Sequence, residues 1–248
     1  MIEFFTPELT DRALVDSYFL PSGYRCCEYA FTNIFAWRDA FQEEIATCAG
    51  YLTVRCAGPR YFWPAGKGDI RPMLQALELD AKAQGKLISF DPNLRKPLWQ
   101  NEAAAAEQIE WGLHQADIVK ISDEEVDFLW HTTPATAAQK LLREYGVRLV
   151  YVTMGPQGCY FANRNGSGTT ACPTGIHVVD TTGAGDIFGG SAMSRLLKLD
   201  KAPEALSAEE MSAITRFACC AASLSTRHHG GINSVPEEQE VLELMRQG

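Results

Sequence analysis

The chain of 248 residues carries 22 basic and 31 acidic side chains, a formal charge of −9 at pH 7, with 46% hydrophobic and 21% charged residues. That length buries a substantial core in one large α/β domain or two smaller ones. An acidic balance with no basic stripe excludes general nucleic-acid binding and adhesion to anionic membranes.

The start, Met1-Ile2-Glu3-Phe4-Phe5, lacks the basic-then-apolar pattern of a signal peptide, and no uncharged apolar run reaches membrane-spanning length. Eight cysteines form no C-x-x-C and no zinc-spaced set with histidine. Reduced, mostly buried thiols in a soluble cytoplasmic protein are the expectation.

Residues 1–80 have a texture of their own. Ser22 to Phe41 is aromatic-rich and reads as a partly buried helix, with Glu43-Glu44 on a solvated helix face. Gly50–Cys56 and Arg60–Trp63, joined by Ala57-Gly58-Pro59, predict a hairpin. Gly66-Lys67-Gly68-Asp69 lacks the Ser/Thr after Lys and the leading Gly that a phosphate loop requires. Asp69 to Gln84 predicts an amphipathic helix.

From Lys86 onward extended and helical segments alternate. Leu87–Phe90 is a short strand ending in Asp91-Pro92-Asn93-Leu94-Arg95, and a helix follows from Asn101 to Gln115. Ala116–Ile121 is strand-like, and Ser122-Asp123-Glu124-Glu125 opens a helix with a capping-box pattern. Helix over 135–145, strand over 148–153 and a return strand at Cys159–Ala162 come next. Ile176–Val179 reads as a strand, followed by Asp180-Thr181-Thr182-Gly183-Ala184-Gly185-Asp186 and a helix of small residues. Helices from Ala208 to Ser225 and after Pro236 close the chain. This alternation predicts an α/β fold with a mostly parallel sheet and helices on both faces.

The Asp180–Asp186 run carries the chemistry. A strand, a glycine-rich turn and a helix N-terminus expose free N–H groups to an anion. Asp186 then stands where a carboxylate meets a substrate hydroxyl, which is what phosphoryl transfer requires. A bare cap and a tight turn are the competing reading. His228-His229 cannot easily place both rings on one metal, so a surface or loop role is expected.

The run resembles the C-terminal signature of the ribokinase/PfkB-type sugar kinases, the group that includes fructokinases. The resemblance extends over residues 86–248 and implies an incomplete ribokinase-like fold. It implies that Asp186 is the catalytic base and that the Gly183, Ala184 and Gly185 amides form the anion hole. Asp91–Arg95 is similar to the family's DPN-x-R, which places Asn93 and Arg95 at the phosphates or the sugar. Ser122–Glu125 is similar to N-x-x-E with Ser for Asn, and implies that Glu125 holds Mg2+ through water. Thr153, Gly155 and Gly158 are similar to the T-x-G-x-x-G turn beside ATP. Cys219 stands where relatives often carry Asn on the helix flanking adenine. Gly230-Gly231 to Ser234, with Asp180 and Thr182, resembles the loop holding a monovalent cation, K+. ATP, Mg2+, a small sugar and a possible homodimer partner are thereby implied.

The family's first part, with its Gly-Gly motif and lid over the sugar, is not visible. Residues 1–80 instead resemble a bacterial acetyltransferase-like family of unknown function related to phosphatidylglycerol lysyltransferase, on Cys27–Arg38 and Trp63–Asp69. A fusion of two truncated genes near Ala81–Lys86 is the expectation. Three functions follow: an ATP-dependent, fructokinase-like sugar kinase, a catalytically impaired nucleotide-binding remnant, or an acyl- or aminoacyl-transferase-like fragment.

Overall fold

The computed structural model describes residues 2–57 and 60–247, and its chain divides into two units, Met1–Leu87 and Ile88–Gly248. In the first unit, Arg12–Ser22 (α1) ends at Gly23 with a left-handed φ of 75°. A short 3-10 turn, Cys27–Tyr29, precedes Phe31–Phe41 (α2), so the helix expected from Ser22 is shorter. Glu44–Cys48 (β1), Tyr51–Cys56 (β2), Arg60–Tyr61 (β3) and Ala65–Gly66 (β4) form an antiparallel sheet. Arg71–Ala83 (α3) follows. The expected hairpin is the β2–β3 pair; Gly58 and Pro59 of its turn lie outside the described residues.

The β1–β2 hairpin was not expected, because its turn is Ala49-Gly50 rather than Asn-Gly. Both residues have positive φ, 50° and 82°, as a two-residue hairpin turn demands. Glu43-Glu44 therefore does not lie on a helix: Glu43 is buried beside the Cys56 thiol, and Glu44 begins β1. Across the ladder Arg55 binds Glu44 at 2.5 Å and also Asp80 at 3.0 Å. Val15, Phe19, Phe31, Ile34, Ile45, Leu52, Val54 and Ala65 make this unit's core.

The second unit is built on Ser89–Phe90 (β5), Ile118–Ser122 (β6), Leu149–Thr153 (β7), Cys159–Asn163 (β8) and Gly166–Thr170 (β9), adjacent in that order. Strands β5, β6 and β7 are mutually parallel, whereas β8 and β9 run antiparallel to their neighbours, so the sheet is mixed rather than mostly parallel. Side chains alternate between faces with period two. Val119, Ile121, Val150, Val152 and Ala162 share a core with Glu102–Gln115 (α4), Asp123–Trp130 (α5) and Pro134–Glu144 (α6). Ile118, Leu149, Tyr151, Cys159 and Phe161 pack against Ala184–Leu199 (α7) and Ala208–Ser225 (α8) on the other face. Glu238–Gln247 (α9) packs on α8 through Val241.

Two segments depart from expectation. Strand β9, Gly-Ser-Gly-Thr-Thr, lacks an apolar alternation; Gly168 is bare because the Phe161 ring occupies the place of a side chain, 2.7 Å from a Cβ there. The expected strand at 176–179 is irregular chain instead, with Val178 and Val179 exposed. Their β-branched side chains favour strands, but no ladder is open to them. The Val179 and Asp180 N–H groups both donate to the Thr226 carbonyl at the end of α8. Among the described residues no helix is long and apolar enough to cross a membrane.

One buried polar side chain fixes the far end of β8. The Asn163 amide donates to the Pro203 and Leu206 carbonyls at 3.0 and 2.9 Å and accepts from the Asn165 and Gly166 N–H groups. Asn163→Leu strands all four partners, so it is expected to destabilise this unit by about 2–4 kcal/mol. Urea unfolding checks the figure, and an unchanged midpoint would show the network to be dispensable.

Candidate active site

The turn before α7 is held by one carboxylate. Asp180 Oδ1 accepts from the Thr182 N–H and hydroxyl at 2.9 and 2.7 Å, and its Oδ2 accepts from the Gly230 N–H at 2.9 Å. The Gly230 amide, with the two Thr182 donors, holds the Asp180 carboxyl down to about 2. His229 Nδ1 lies 3.8 Å from the same carboxylate. Ser234, buried, donates to the Gly231 carbonyl. A Cβ on Gly183 would stand 2.7 Å from Gly231 Cα, and Gly183 has φ 78°, so glycine is required where the turn meets this loop.

A carboxyl whose folded pKa is depressed contributes its stabilisation above its ordinary value of 3.8 and loses it as pH falls toward about 2. The Gly230 amide resonance is therefore expected to move across that window, and to stay still in Asp180→Asn. A Gly230 shift that ignores acid would break the assignment.

At the start of α7 the three amides named from the sequence are not equivalent. The Ala184 N–H donates to the Thr181 carbonyl at 3.2 Å. Among the described residues the Gly183, Gly185 and Asp186 N–H groups have no such partner, so the open donors are these three. They lie at the positive end of a 16-residue helix. Asp186, in the first turn, is exposed.

Sequence reasoning missed two residues beside it. Asp91 Oδ2 accepts from Lys120 Nζ at 2.8 Å, while Asp91 Oδ1 is buried with no hydrogen-bond partner. Burial pushes the Asp91 carboxyl up; Lys120 opposes that rise, and Glu125 and Asp186 add to it. The Lys120 chain runs beneath α7: a Cβ on Gly185 would lie 2.9 Å from Nζ, and one on Gly189 3.8 Å from Cδ. A signal existed for Lys120. It is the one charged residue in strand β6 and shares its face with Ile118, whose partners are α7 and α8.

Glu125, buried, forms the expected capping box with Ser122 and also accepts from the Leu94 N–H at 2.6 Å. It thereby ties the loop after β5 to the start of α5. Asn93, with φ 46°, and Arg95 are exposed on that loop. Thr153 donates to the Ile121 carbonyl at 3.5 Å, and Gly155 and Gly158 shape the turn between β7 and β8. Cys219 is buried in α8. A groove of about 480 Å3 beside Asp186 is lined by Gly183, Gly190, Phe217, Gly231 and Val241, apart from the Thr153–Gly158 turn. Asp186, Asp91, Lys120 and Glu125 thus come together on one side, and Asp180, Thr182, Gly230 and Gly231 on another.

Comparison with known proteins shows the family and the fold. The model of the pfkB family of carbohydrate kinases matches residues 67–238. Fructokinase-1 of Zea mays is 39% identical over 176 residues, 69% of this chain and 52% of that protein. The structure of a fructokinase with bound ATP from Xylella fastidiosa superposes with a TM-score of 0.65, at 29% identity, covering 73% of this chain and 58% of that one. A Vibrio cholerae fructokinase variant, solved with fructose, ADP and potassium ion, gives a TM-score of 0.62 at 26% identity, covering 71% and 55%. The chain spans about half the length of the plant fructokinase it matches.

Proposed function

This chain belongs to the pfkB family of carbohydrate kinases and has a ribokinase-like α/β fold, and on that premise we propose that it is a fructokinase-like phosphotransferase, moving the γ-phosphoryl group of ATP to a sugar hydroxyl. One observation carries the reading: an exposed carboxylate, Asp186, stands in the first turn of α7 beside open N–H groups. Asp186 takes the proton of the attacking hydroxyl, and the Gly183, Gly185 and Asp186 amides meet the charge on the transferring group. Ala184 contributes to this by closing the turn on Thr181. The nucleotide lies along Thr153–Gly158 and α8 near Cys219, with Asn93 and Arg95 facing its phosphates or the sugar.

The residues present fit a hydrated Mg2+. Asp91 offers a buried oxygen with no partner, and the Glu125 carboxylate stands near it. Those two carboxylates would hold the ion through water, and the ion would neutralise phosphate charge. The ionised Asp180, with Thr182 and Ser234, would hold K+.

A second reading draws on coverage: the chain matches 52% of the maize fructokinase. It makes the protein a nucleotide-binding remnant without a competent sugar pocket. A fusion near Ala81–Lys86 to an acetyltransferase-like segment, residues 1–80, would account for the partial match; against it stands the family match, which begins at residue 67. A cytoplasmic homodimer, in which a partner copy completes the lid, is the arrangement that would restore activity. Calorimetric titration with Mg-ATP, with and without fructose, separates the readings. Binding with transfer supports the kinase, binding alone supports the remnant, and no binding removes both. An acyl-CoA titration tests the transferase-like reading of residues 1–80.

A further inference from the structure

Three thiols from three separate elements converge in the second unit. Cys159 opens β8, Cys219 lies within α8, and Cys172 sits in the irregular chain after β9. Cys159 and Cys219 belong to one buried cluster, and Cys172, half-buried, packs against it. Cys172 Sγ is 3.6 Å from the Gly155 carbonyl oxygen. Its thiol also interacts with the Cys219 thiol and the Ser223 hydroxyl on α8. The Cys219 contact, helped by Ser223, holds the Cys172 thiol down to about 6, while that contact and burial push Cys219 far up. The two differ in access: Cys172, half-buried, is the sulfur a small reagent reaches first, and Cys219, buried, lies behind it.

We propose that Cys172 and Cys219 form a thiol–disulfide exchange site, which a low-molecular-weight disulfide converts to an intramolecular disulfide tying the segment after β9 to α8. The Cys172 thiolate attacks one sulfur of the small disulfide, forming a mixed disulfide and releasing one small thiolate. Cys219, giving its proton to solvent, then attacks the Cys172 sulfur and expels the second small thiolate. Two protein thiols are oxidised, and one small disulfide is reduced to two thiols. The thiol pair stands on its own contacts. That nucleotide controls access to it rests on the ATP reading above, because Gly155 and Cys219 belong to the nucleotide residues named there.

The test uses the full chain with the exposed Cys26 and Cys27 changed to serine, treated with oxidised glutathione. The expected product has lost two hydrogens, and its peptide map joins Cys172 to Cys219. Cys172 should react about tenfold faster than Cys56, whose thiol burial pushes up. Cys219→Ser should stop at a glutathione adduct on Cys172, and Cys172→Ser should form no cross-link at Cys219. A persistent adduct on Cys172 in the parent chain, no reaction, or the same loss of two hydrogens in either variant overturns the proposal. Saturating Mg-ATP should slow cross-linking at least about tenfold, in line with the thiolate's loss of access. Cross-linking that proceeds undiminished while calorimetry shows Mg-ATP bound would remove the nucleotide from this face and leave the thiol pair standing.

Discussion

Asp186→Asn is expected to lower phosphoryl transfer by about 10²–10⁴-fold, the range a positioned general base supplies, while Mg-ATP affinity stays within about threefold. The asymmetry follows from where the side chain sits. Asp186 is exposed in the first turn of α7, and no described ion pair or capping bond engages its carboxylate. Asparagine keeps the shape and leaves the open amides intact. Coupled-assay turnover with fructose and calorimetry with Mg-ATP measure the two halves. Equal transfer by both proteins would remove Asp186 from the chemistry.

Gly158→Ala is expected to be the most damaging single methyl group on the β7–β8 turn. Gly158 has φ 101° and ψ −135°, and an added Cβ would fall 1.9 Å from the Thr170 carbonyl oxygen. The neighbour is backbone of β9 and cannot rotate aside. Forcing a side chain into that dihedral region costs about 1–3 kcal/mol, and overpacking adds about 1–3 kcal/mol. Gly175→Ala is the control: φ is 78°, but nothing lies within 4 Å of its Cβ, so roughly 1–2 kcal/mol is expected there. Urea unfolding of the two variants should separate by at least about 1 kcal/mol. Equal losses would mean that β9 yields.

Those positions show why the sequence was readable in some places and opaque in others. Helix α8 ran from Ala208 to Ser225 as expected because Ser207 and Glu210 form a capping box. Strands β6 and β7 were legible from their apolar runs. Strand β9 was not, since Gly168 is bare to admit a ring from the adjacent strand and Gly166 faces Ala208, so neither supplies a side chain to the pattern. Ile176–Val179 misled for the opposite reason: its composition is that of a strand, and its partner is a helix end. At the site, Asp180 to Asp186 announced itself through local geometry. Asp91 follows the end of β5 and Lys120 lies in the middle of β6, 29 positions apart, and no local pattern joins them.

The lysine beneath α7 has an evolutionary corollary. Because its ammonium lies 2.9 Å from where a methyl at position 185 would stand, residues 120 and 185 compete for one volume, whereas a methyl at 189 would only touch the lysine chain, at 3.8 Å. Alanine at 185 would lever the lysine off its carboxylate unless position 120 shortened in the same step. A shorter residue at 120 would admit a side chain at 185, while position 189 has room for a methyl with the lysine in place.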